Sequence, residues 1–332
     1  MSFQTRKVQK TGGSSFIISL PKSWIETHNI EKNDTLGILS QPDGNLLITP
    51  QIEAEYIQKT KEIIADDFSN DDFLFRILIG AYIMGFSIII VKSSKKFEPY
   101  IRDCIRRFTQ IAIGPEIEEE STNYIKIRDL VNPKEMPFDK TIRRMYILAQ
   151  NMHEDSMRAL KNKDKHLAEE VIKSDNDVDR LHYLIMRQVS IVLSDIILCQ
   201  KMGVTLESAV QFQQISRFLE RIADHAVKIS ENVLNLIEQN INENLINNIE
   251  LVSKFSLDLL NRSIDAWLQK SINLANTNIL LLKDLVESTE NISRNLSNNV
   301  GTSVSIGYII ESIRRTGEYS GDISEIIINT LI

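Results

Sequence analysis

The distribution of proline constrains this chain more than any other sequence feature. All seven prolines lie in the first 137 residues of the 332-residue chain, the last two being Pro133 and Pro137. Proline breaks helices because it lacks an N–H donor and clashes with the preceding turn. The proline-free region shows apolar side chains at steps of three and four, which is typical of amphipathic helices. Six long helices are predicted, and they should fold back as antiparallel bundles, at 139–163, 165–202, 205–239, 243–274, 276–299 and 302–331.

The part of the chain before this region has a different pattern. Residues 1–50 are short strand-like runs, with Gly12 and Gly13 suited to a tight hairpin turn. Residues 55–132 alternate helical and strand-like segments, which indicates a small α/β domain whose role the sequence leaves open. The predicted fold class is mainly α with a β-containing N-terminus. Four domains are expected, at 1–50, 55–132, 137–240 and 241–332.

A repeated motif divides the helical region into two halves. Arg217-x-x-Glu220-x-x-x-Asp224 recurs as Arg315-x-x-Glu318-x-x-x-Asp322. The flanking isoleucines recur at the same offset, since Ile215 and Ile229 match Ile313 and Ile327. This agreement predicts an internal duplication of a three-helix unit.

The acidic residues of the motif have a spacing that is unfavourable by itself. Glu220 and Asp224 lie four residues apart on one helical face, where like charges repel. The compensating cation is either Arg217, with Arg315 in the second copy, or a bound metal. A solvated, salt-bridged helix face is the simpler interpretation of the same spacing.

A second acidic pair favours the metal. Asp175 and Asp179 have the same spacing in the preceding helix. A fold-back near Gly203 brings this helix to within a turn or two of Asp224. Carboxylate oxygens suit iron, manganese, magnesium or calcium, and they do not suit structural zinc.

These motifs resemble a known family. Leu219-Glu-Arg-Ile-Ala-Asp-His225 with Ile229-Ser-Glu231 is similar to the signature helix of PhoU domains, which regulate phosphate uptake, and Asp175-x-x-x-Asp179 resembles their companion motif. The resemblance covers residues 137–332 and implies two three-helix bundles that bind clusters of iron, or of another oxygen-ligated divalent or trivalent cation, through acidic residues. It also implies a link between phosphate supply, transporter activity and gene expression. The ligands carried over to this sequence are Asp175, Asp179, Glu220, Asp224, Glu318 and Asp322.

The second copy of the motif departs from the family pattern. Thr289 and Ser293 align with the acidic positions of the companion helix, and Glu287 and Glu290 are out of register. The resemblance therefore implies a complete ligand set only for the first repeat.

The N-terminus resembles a second family. The segment from Arg6 to Trp24, Arg-Lys-Val-Gln-Lys-Thr-Gly-Gly-Ser-Ser-Phe-Ile-Ile-Ser-Leu-Pro-Lys-Ser-Trp, is similar to the AbrB/SpoVT swapped-hairpin fold. The resemblance implies a barrel made by exchanging hairpins in a homodimer or higher homo-oligomer, with DNA contacted by basic residues near its start.

The local charge of this segment agrees with a DNA contact. Residues 1–25 contain no acid, although the whole chain has a net charge of −7. A basic segment of this kind is the electrostatic footprint of nucleic-acid binding. A dimerisation hairpin with a solvated basic edge is the alternative. The basic residues that we expect to contact DNA are Arg6, Lys7, Lys10 and Lys22.

Other residues bear on location and chemistry. Two cysteines, Cys104 and Cys199, are too few for a disulfide framework and suit a reducing compartment. The longest charge-free run, between Arg76 and Lys92, is shorter than the roughly 20 residues of a membrane span. We therefore expect a cytoplasmic protein without membrane insertion.

The expected function follows from the two resemblances. The chain is interpreted as a phosphate-responsive regulator that binds DNA as a dimer and senses or relays phosphate status through metal-binding bundles. The alternative is an adapter that controls a phosphate transporter or signalling partner without binding DNA. No enzyme is expected, because the sequence has no Gly-rich phosphate loop or nucleophile elbow. His153 and His225 are expected at the surface.

Overall fold

The computed structural model describes residues 4–41, 44–50, 59–294, 296 and 300–332. The chain divides into two compact units, Met1–Tyr56 and Ile57–Ile332. The second unit holds the predicted α/β segment together with all of the long helices, so most of the chain is helical, as the missing prolines predict. Within the described ranges, no helix is both long and apolar enough to cross a bilayer.

The first unit consists of two hairpins and one short helix. Strands β1 (Gln9–Thr11) and β2 (Ser15–Ile17) pair antiparallel around Gly12, whose positive φ suits the turn. Helix α1 (Lys22–Thr27) follows, and β3 (Gly37–Ser40) pairs with β4 (Leu46–Thr49). The two hairpins form separate two-stranded sheets, and none of the residues described in this unit is buried.

The second unit begins with a two-layer α/β domain. Its sheet has the order β5-β6-β8-β7, with β5 parallel to β6 and the other pairs antiparallel. Buried side chains of both helices, among them Leu78 and Phe108, pack with Val91 and Ile125 of the sheet. The elements are β5 (Thr60–Ile64), α2 (Asp71–Ile83), β6 (Ile88–Lys92), α3 (Pro99–Ile111), β7 (Pro115–Glu120) and β8 (Tyr124–Asp129).

The rest of the second unit is a bundle of long helices in two groups of three. Helices α4, α5 and α7 pack together, α8, α9 and α10 pack together, and α7 packs along α10 to join the groups. The isoleucines of the repeated motif, Ile215, Ile229, Ile313 and Ile327, are all buried. The helices are α4 (Phe138–Asn162), α5 (Lys165–Ser194), α6 (Ile196–Lys201), α7 (Leu206–Leu236), α8 (Glu243–Gln269), α9 (Ile272–Arg294) and α10 (Val300–Leu331).

Two predicted helix boundaries are wrong. The helix expected over 165–202 ends at Ser194, because Asp195 is extended and its side chain accepts hydrogen bonds from the first N–H groups of α6. The break expected near residue 275 lies at Lys270, which has a left-handed conformation. The predicted break at Gly203 is confirmed, with φ at +68°, and the end of the helix predicted over 276–299 lies outside the described residues.

Helix α5 is shared by the α/β domain and the bundle. The buried Arg187 forms an ion pair with the buried Asp129 at 2.6 Å and donates hydrogen bonds to the carbonyls of Tyr82 and Phe86. The next residue, Gln188, donates to the carbonyl of Met136. The C-terminal half of α5 thus holds the α/β domain, while its N-terminal half carries the first acidic pair.

Candidate functional site

The acidic residues of the first repeat face one another across two antiparallel helices. Asp175 and Asp179 lie one turn apart on α5, and Glu220 and Asp224 lie one turn apart on α7. Burial, followed by the charges of Asp175, Glu220 and Asp224, raises the pKa of Asp179 to about 7. Burial, followed by the charges of Asp224 and Glu231, raises the pKa of Asp175 to about 6. These carboxylates therefore form one electrostatic cluster, which we call the α5–α7 acidic cluster.

The arginines beside this cluster compensate it incompletely. Arg217 contacts Glu220 at 3.4 Å and Arg221 contacts Asp224 at 3.3 Å, both longer than a good charge-assisted hydrogen bond. Oδ1 of Asp175 and Oε2 of Glu220 are buried and make no hydrogen bond. Buried carboxylate oxygens without donors are costly, so the donor set fits a cation that prefers oxygen ligands.

The side chains are not arranged around a single ion. Over the described part of the chain, no group of three or more His, Cys, Asp or Glu side chains has the arrangement of a metal site. Metal binding at Asp175, Asp179, Glu220 and Asp224 therefore stays a prediction.

The acidic motif of the second repeat is held differently. Glu318 accepts hydrogen bonds from Arg314 at 3.0 Å and Arg315 at 2.9 Å. Asp322 lines a cavity of about 680 Å³ between the repeats, whose opposite walls include His182 and Arg217. Burial, with the charges of Glu325 and Glu318, raises the pKa of Asp322.

Three histidines of the bundle are buried, which corrects the expectation that His153 and His225 lie at the surface. Nε2 of His153 lies 2.9 Å from Oγ of Ser253, and Nδ1 of His182 lies 3.0 Å from Oγ of Ser216. Burial lowers the pKa of each histidine to about 4, so all three are neutral at pH 7. The signal for His153 was its position four residues after the buried Ala149 on the apolar stripe of α4.

The four basic residues that we expect to contact DNA are exposed. Arg6, Lys7 and Lys10 lie before or within β1, and the guanidinium of Arg6 donates only to its neighbours Gln4 and Thr5 among the contacts described. Lys22 lies at the start of α1 and pairs with Glu26 at 3.5 Å. An exposed pair of this kind contributes little stability, so all four cations are accessible to a ligand.

Comparison with known families identifies both regions. Residues 142–233 match the PhoU domain family, a range that includes the whole α5–α7 acidic cluster. The chain contains a PhoU domain. Residues 9–55 match the family described as antidote-toxin recognition MazE, bacterial antitoxin, which confirms the AbrB-like resemblance of the N-terminus.

Individual relatives of the PhoU region agree with the family match. A protein of Caulobacter vibrioides described as a phosphate-specific transport system accessory protein PhoU homolog is 26% identical over 197 residues, covering 56% of this chain and 83% of the relative. The crystal structure of PhoU from Pseudomonas aeruginosa matches with a TM-score of 0.53 at 18% identity, over 58% of this chain and 94% of that one. The phosphate transport system regulatory protein PhoU from Streptococcus pneumoniae matches with a TM-score of 0.50 at 19% identity, over 58% and 92%. The two structures show that the helical bundle has the PhoU fold.

Proposed function

We propose that this protein is a phosphate-responsive regulator of phosphate uptake. It binds DNA as a homodimer through the MazE-like unit and senses or relays phosphate status through its PhoU bundle. The observation that carries the proposal is the presence, in one chain, of a PhoU domain and a MazE-like unit with an exposed basic hairpin. The phosphate link comes from the Caulobacter relative, whose name places it in phosphate-specific transport.

The proposed dimer would provide a core that the described residues of the first unit do not form by themselves. Large apolar side chains of its hairpins are exposed, among them Phe16, Ile18 and Ile38. Domains of this size are only marginally stable even with a core of their own. Exchange of hairpins with a second copy would bury these side chains and double the number of basic residues offered to DNA.

We propose that a bound metal gives the first repeat its sensing role. Asp175, Asp179, Glu220 and Asp224 would hold an oxygen-preferring cation such as iron or manganese. The support lies in the buried oxygens of Asp175 and Glu220, which have no hydrogen-bond donor. A bound cation would add to the positive charge that Arg217 and Arg221 supply through contacts of 3.4 and 3.3 Å.

DNA binding is tested by gel retardation of phosphate-transport promoter fragments at several salt concentrations, with and without phosphate. Lys10→Ala should weaken retardation for all sequences and reduce the salt slope by about two, because each copy of the dimer loses one phosphate contact. The matched control is Lys61→Ala, another exposed strand lysine, in the second unit. Retardation that is absent, or equally weakened by the control, contradicts the proposal.

Metal binding is tested by elemental analysis of purified protein before and after reconstitution with iron(II) or manganese(II). Glu220→Gln combined with Asp224→Asn should lower metal affinity by at least about tenfold, since ligands are removed. Glu238→Gln with Asp258→Asn removes two acids elsewhere in the bundle and should leave the metal content unchanged. Equal metal content in all three proteins would contradict metal binding by these carboxylates.

An adapter function is the second candidate, and the word accessory in the name of the Caulobacter relative favours it. In that case the bundle controls a phosphate transporter or signalling protein and the MazE-like unit serves only to dimerise. Co-purification with a transporter subunit that depends on phosphate, combined with absent DNA retardation, would support the adapter.

A further inference from the structure

We infer that metal binding is confined to the first PhoU repeat, and that Arg314 and Arg315 act as built-in cations for the acidic motif of the second. The inference rests on the proposed metal role of the α5–α7 acidic cluster. It goes beyond that role by assigning one metal-responsive and one metal-independent half to the same bundle.

The first argument is the way in which Glu318 is held. Each of its two carboxylate oxygens accepts from a different guanidinium, Oε1 from Arg314 and Oε2 from Arg315. Both arginines also donate to Glu311, Arg314 at 2.7 to 2.9 Å and Arg315 at 3.0 Å. Two acids and two arginines thus form a neutral network on successive turns of α10.

The first repeat lacks this network. At the position equivalent to Arg314 it has Ser216, whose hydroxyl contacts His182 and donates to the carbonyl of Gln213. The nearest guanidinium to Glu220 is Arg217 at 3.4 Å, and Oε2 of Glu220 has no hydrogen bond. Four carboxylates then share two arginines, Arg217 and Arg221, so the first repeat still needs positive charge.

The helix that packs against the acidic motif also differs between the two repeats. Where α5 presents Asp175 and Asp179, α9 presents Thr289 and Ser293, whose hydroxyls donate to backbone carbonyls of their own helix. Thr289 and Ser293 line a cavity of about 340 Å³ together with Arg294 and Arg314. A cation that approached Glu318 from this cavity would meet guanidinium groups and would have to displace charge-assisted hydrogen bonds.

The expected consequence is that metal changes only one half of the bundle. Loading should tighten the contact between α5 and α7, where the carboxylates repel one another without it. The contact between α9 and α10 should be the same in both states, because Glu311 and Glu318 are already neutralised by Arg314 and Arg315.

The first test compares metal content and affinity after reconstitution with iron(II) or manganese(II). Glu318→Gln with Asp322→Asn should bind as wild type does, whereas Glu220→Gln with Asp224→Asn should lose about tenfold or more in affinity. A Glu318 and Asp322 variant that loses half of the metal overturns the inference but leaves the proposed sensing role intact. Wild-type protein that takes up no metal overturns the sensing role, and the inference with it.

The second test adds a site to the second repeat. Thr289→Asp and Ser293→Asp with Arg314→Ser should bind additional metal, whereas the same two aspartates with Arg314 retained should bind no more than wild type. Equal binding by the two variants, with both melting cooperatively by circular dichroism, overturns the role of Arg314.

Hydrogen exchange on the wild-type protein decides the question if those variants fail to fold. Metal should increase protection in Lys165–Ser194 and Leu206–Leu236. Increased protection in Ile272–Arg294 or Val300–Leu331 of similar size would overturn the inference.

Discussion

Burial moves the pKa values of acidic and basic side chains in the bundle in opposite directions. The pKa of His153 falls to about 4 and that of Asp179 rises to about 7, so both residues favour their neutral forms. The histidine is satisfied in that form, because Ser253 and Thr316 lie within hydrogen-bonding reach of its ring nitrogens. Asp179 has no comparable partner among the described contacts, and this difference separates a structural polar residue from a candidate ligand.

The raised pKa of Asp179 predicts a pH-dependent cost in the metal-free protein. The folded state keeps a proton that the unfolded chain loses near pH 3.8, so the free energy of unfolding falls as pH rises from 3.8 to about 7 and levels off above that. Asp179→Asn lacks this cost and should gain stability over wild type by up to about 1.4 kcal/mol per pH unit. Urea unfolding with a chelator at pH 5, 6, 7 and 8 measures the difference.

The comparison with Asp179→Asn is needed because the buried histidines titrate with the opposite sign. Their lowered pKa values make the folded state more stable as pH rises from about 4 to 6.5. That contribution is common to both proteins and cancels in the difference. Parallel stability profiles for the two proteins would show that Asp179 titrates normally.

At the scale of secondary-structure elements, α5 has two distinct halves. Its N-terminal half contributes Asp175 and Asp179 to the acidic cluster, and its C-terminal half fixes the α/β domain through Arg187. Gly114 completes this second contact, since a Cβ atom there would lie 2.3 Å from the carboxylate of Asp129. One rigid helix therefore connects the candidate metal site with a domain whose role is open.

Removal of Arg187 should destabilise this connection strongly. Arg187→Met leaves the carboxylate of Asp129 buried beside an apolar side chain, and breaking a buried pair in this way costs about 3–5 kcal/mol. Arg180→Met on the same helix breaks an exposed pair with Asp177 and should cost less than about 1 kcal/mol. Urea unfolding measures both losses of free energy. Similar losses would show that the buried ion pair contributes no more stability than the exposed one.

Much of the element structure follows from sequence, and the exceptions have local causes. Periodicity finds the ends of α4 to within one residue and those of α7 to within three, because their buried stripes continue without a break. The division at Asp195 was missed because it depends on a side chain that caps the next helix, while the apolar pattern runs on. Strand β5 gives a weak sequence signal, because it is short and has only Ile63 buried.

The candidate site, too, can be predicted only in part from the sequence. Spacing placed Asp175 and Asp179 near Asp224, since helical periodicity and a fold-back at Gly203 are sufficient for that. The hydrogen bonds from Arg314 and Arg315 to Glu318 depend on side-chain geometry that spacing does not determine. The sequence signal for it was Arg314 at the position where the first repeat has Ser216.

At the scale of the whole molecule, the two units differ in how completely each buries its apolar residues. The unit Ile57–Ile332 has three buried hydrophobic clusters, whereas no described residue of Met1–Tyr56 is buried. The net charge of −7 is also unevenly distributed, because residues 1–25 carry four bases and no acid. In the proposed dimer, this basic unit would gain both its stability and its DNA-binding surface from the association of two chains.

This argument predicts that one apolar side chain controls both association and DNA binding. Phe16 on β2 is 70% exposed, and Phe16→Ser should convert the dimer to a monomer by removing apolar area from the exchanged hairpins. DNA retardation should fall together with the dimer, since the monomer offers half the basic residues. Phe73→Ser is the matched control, because Phe73 on α2 is 46% exposed in the other unit and should change neither property. Analytical ultracentrifugation and gel retardation on the same samples measure both, and a Phe16→Ser protein that stays dimeric would place the dimer interface in the bundle instead.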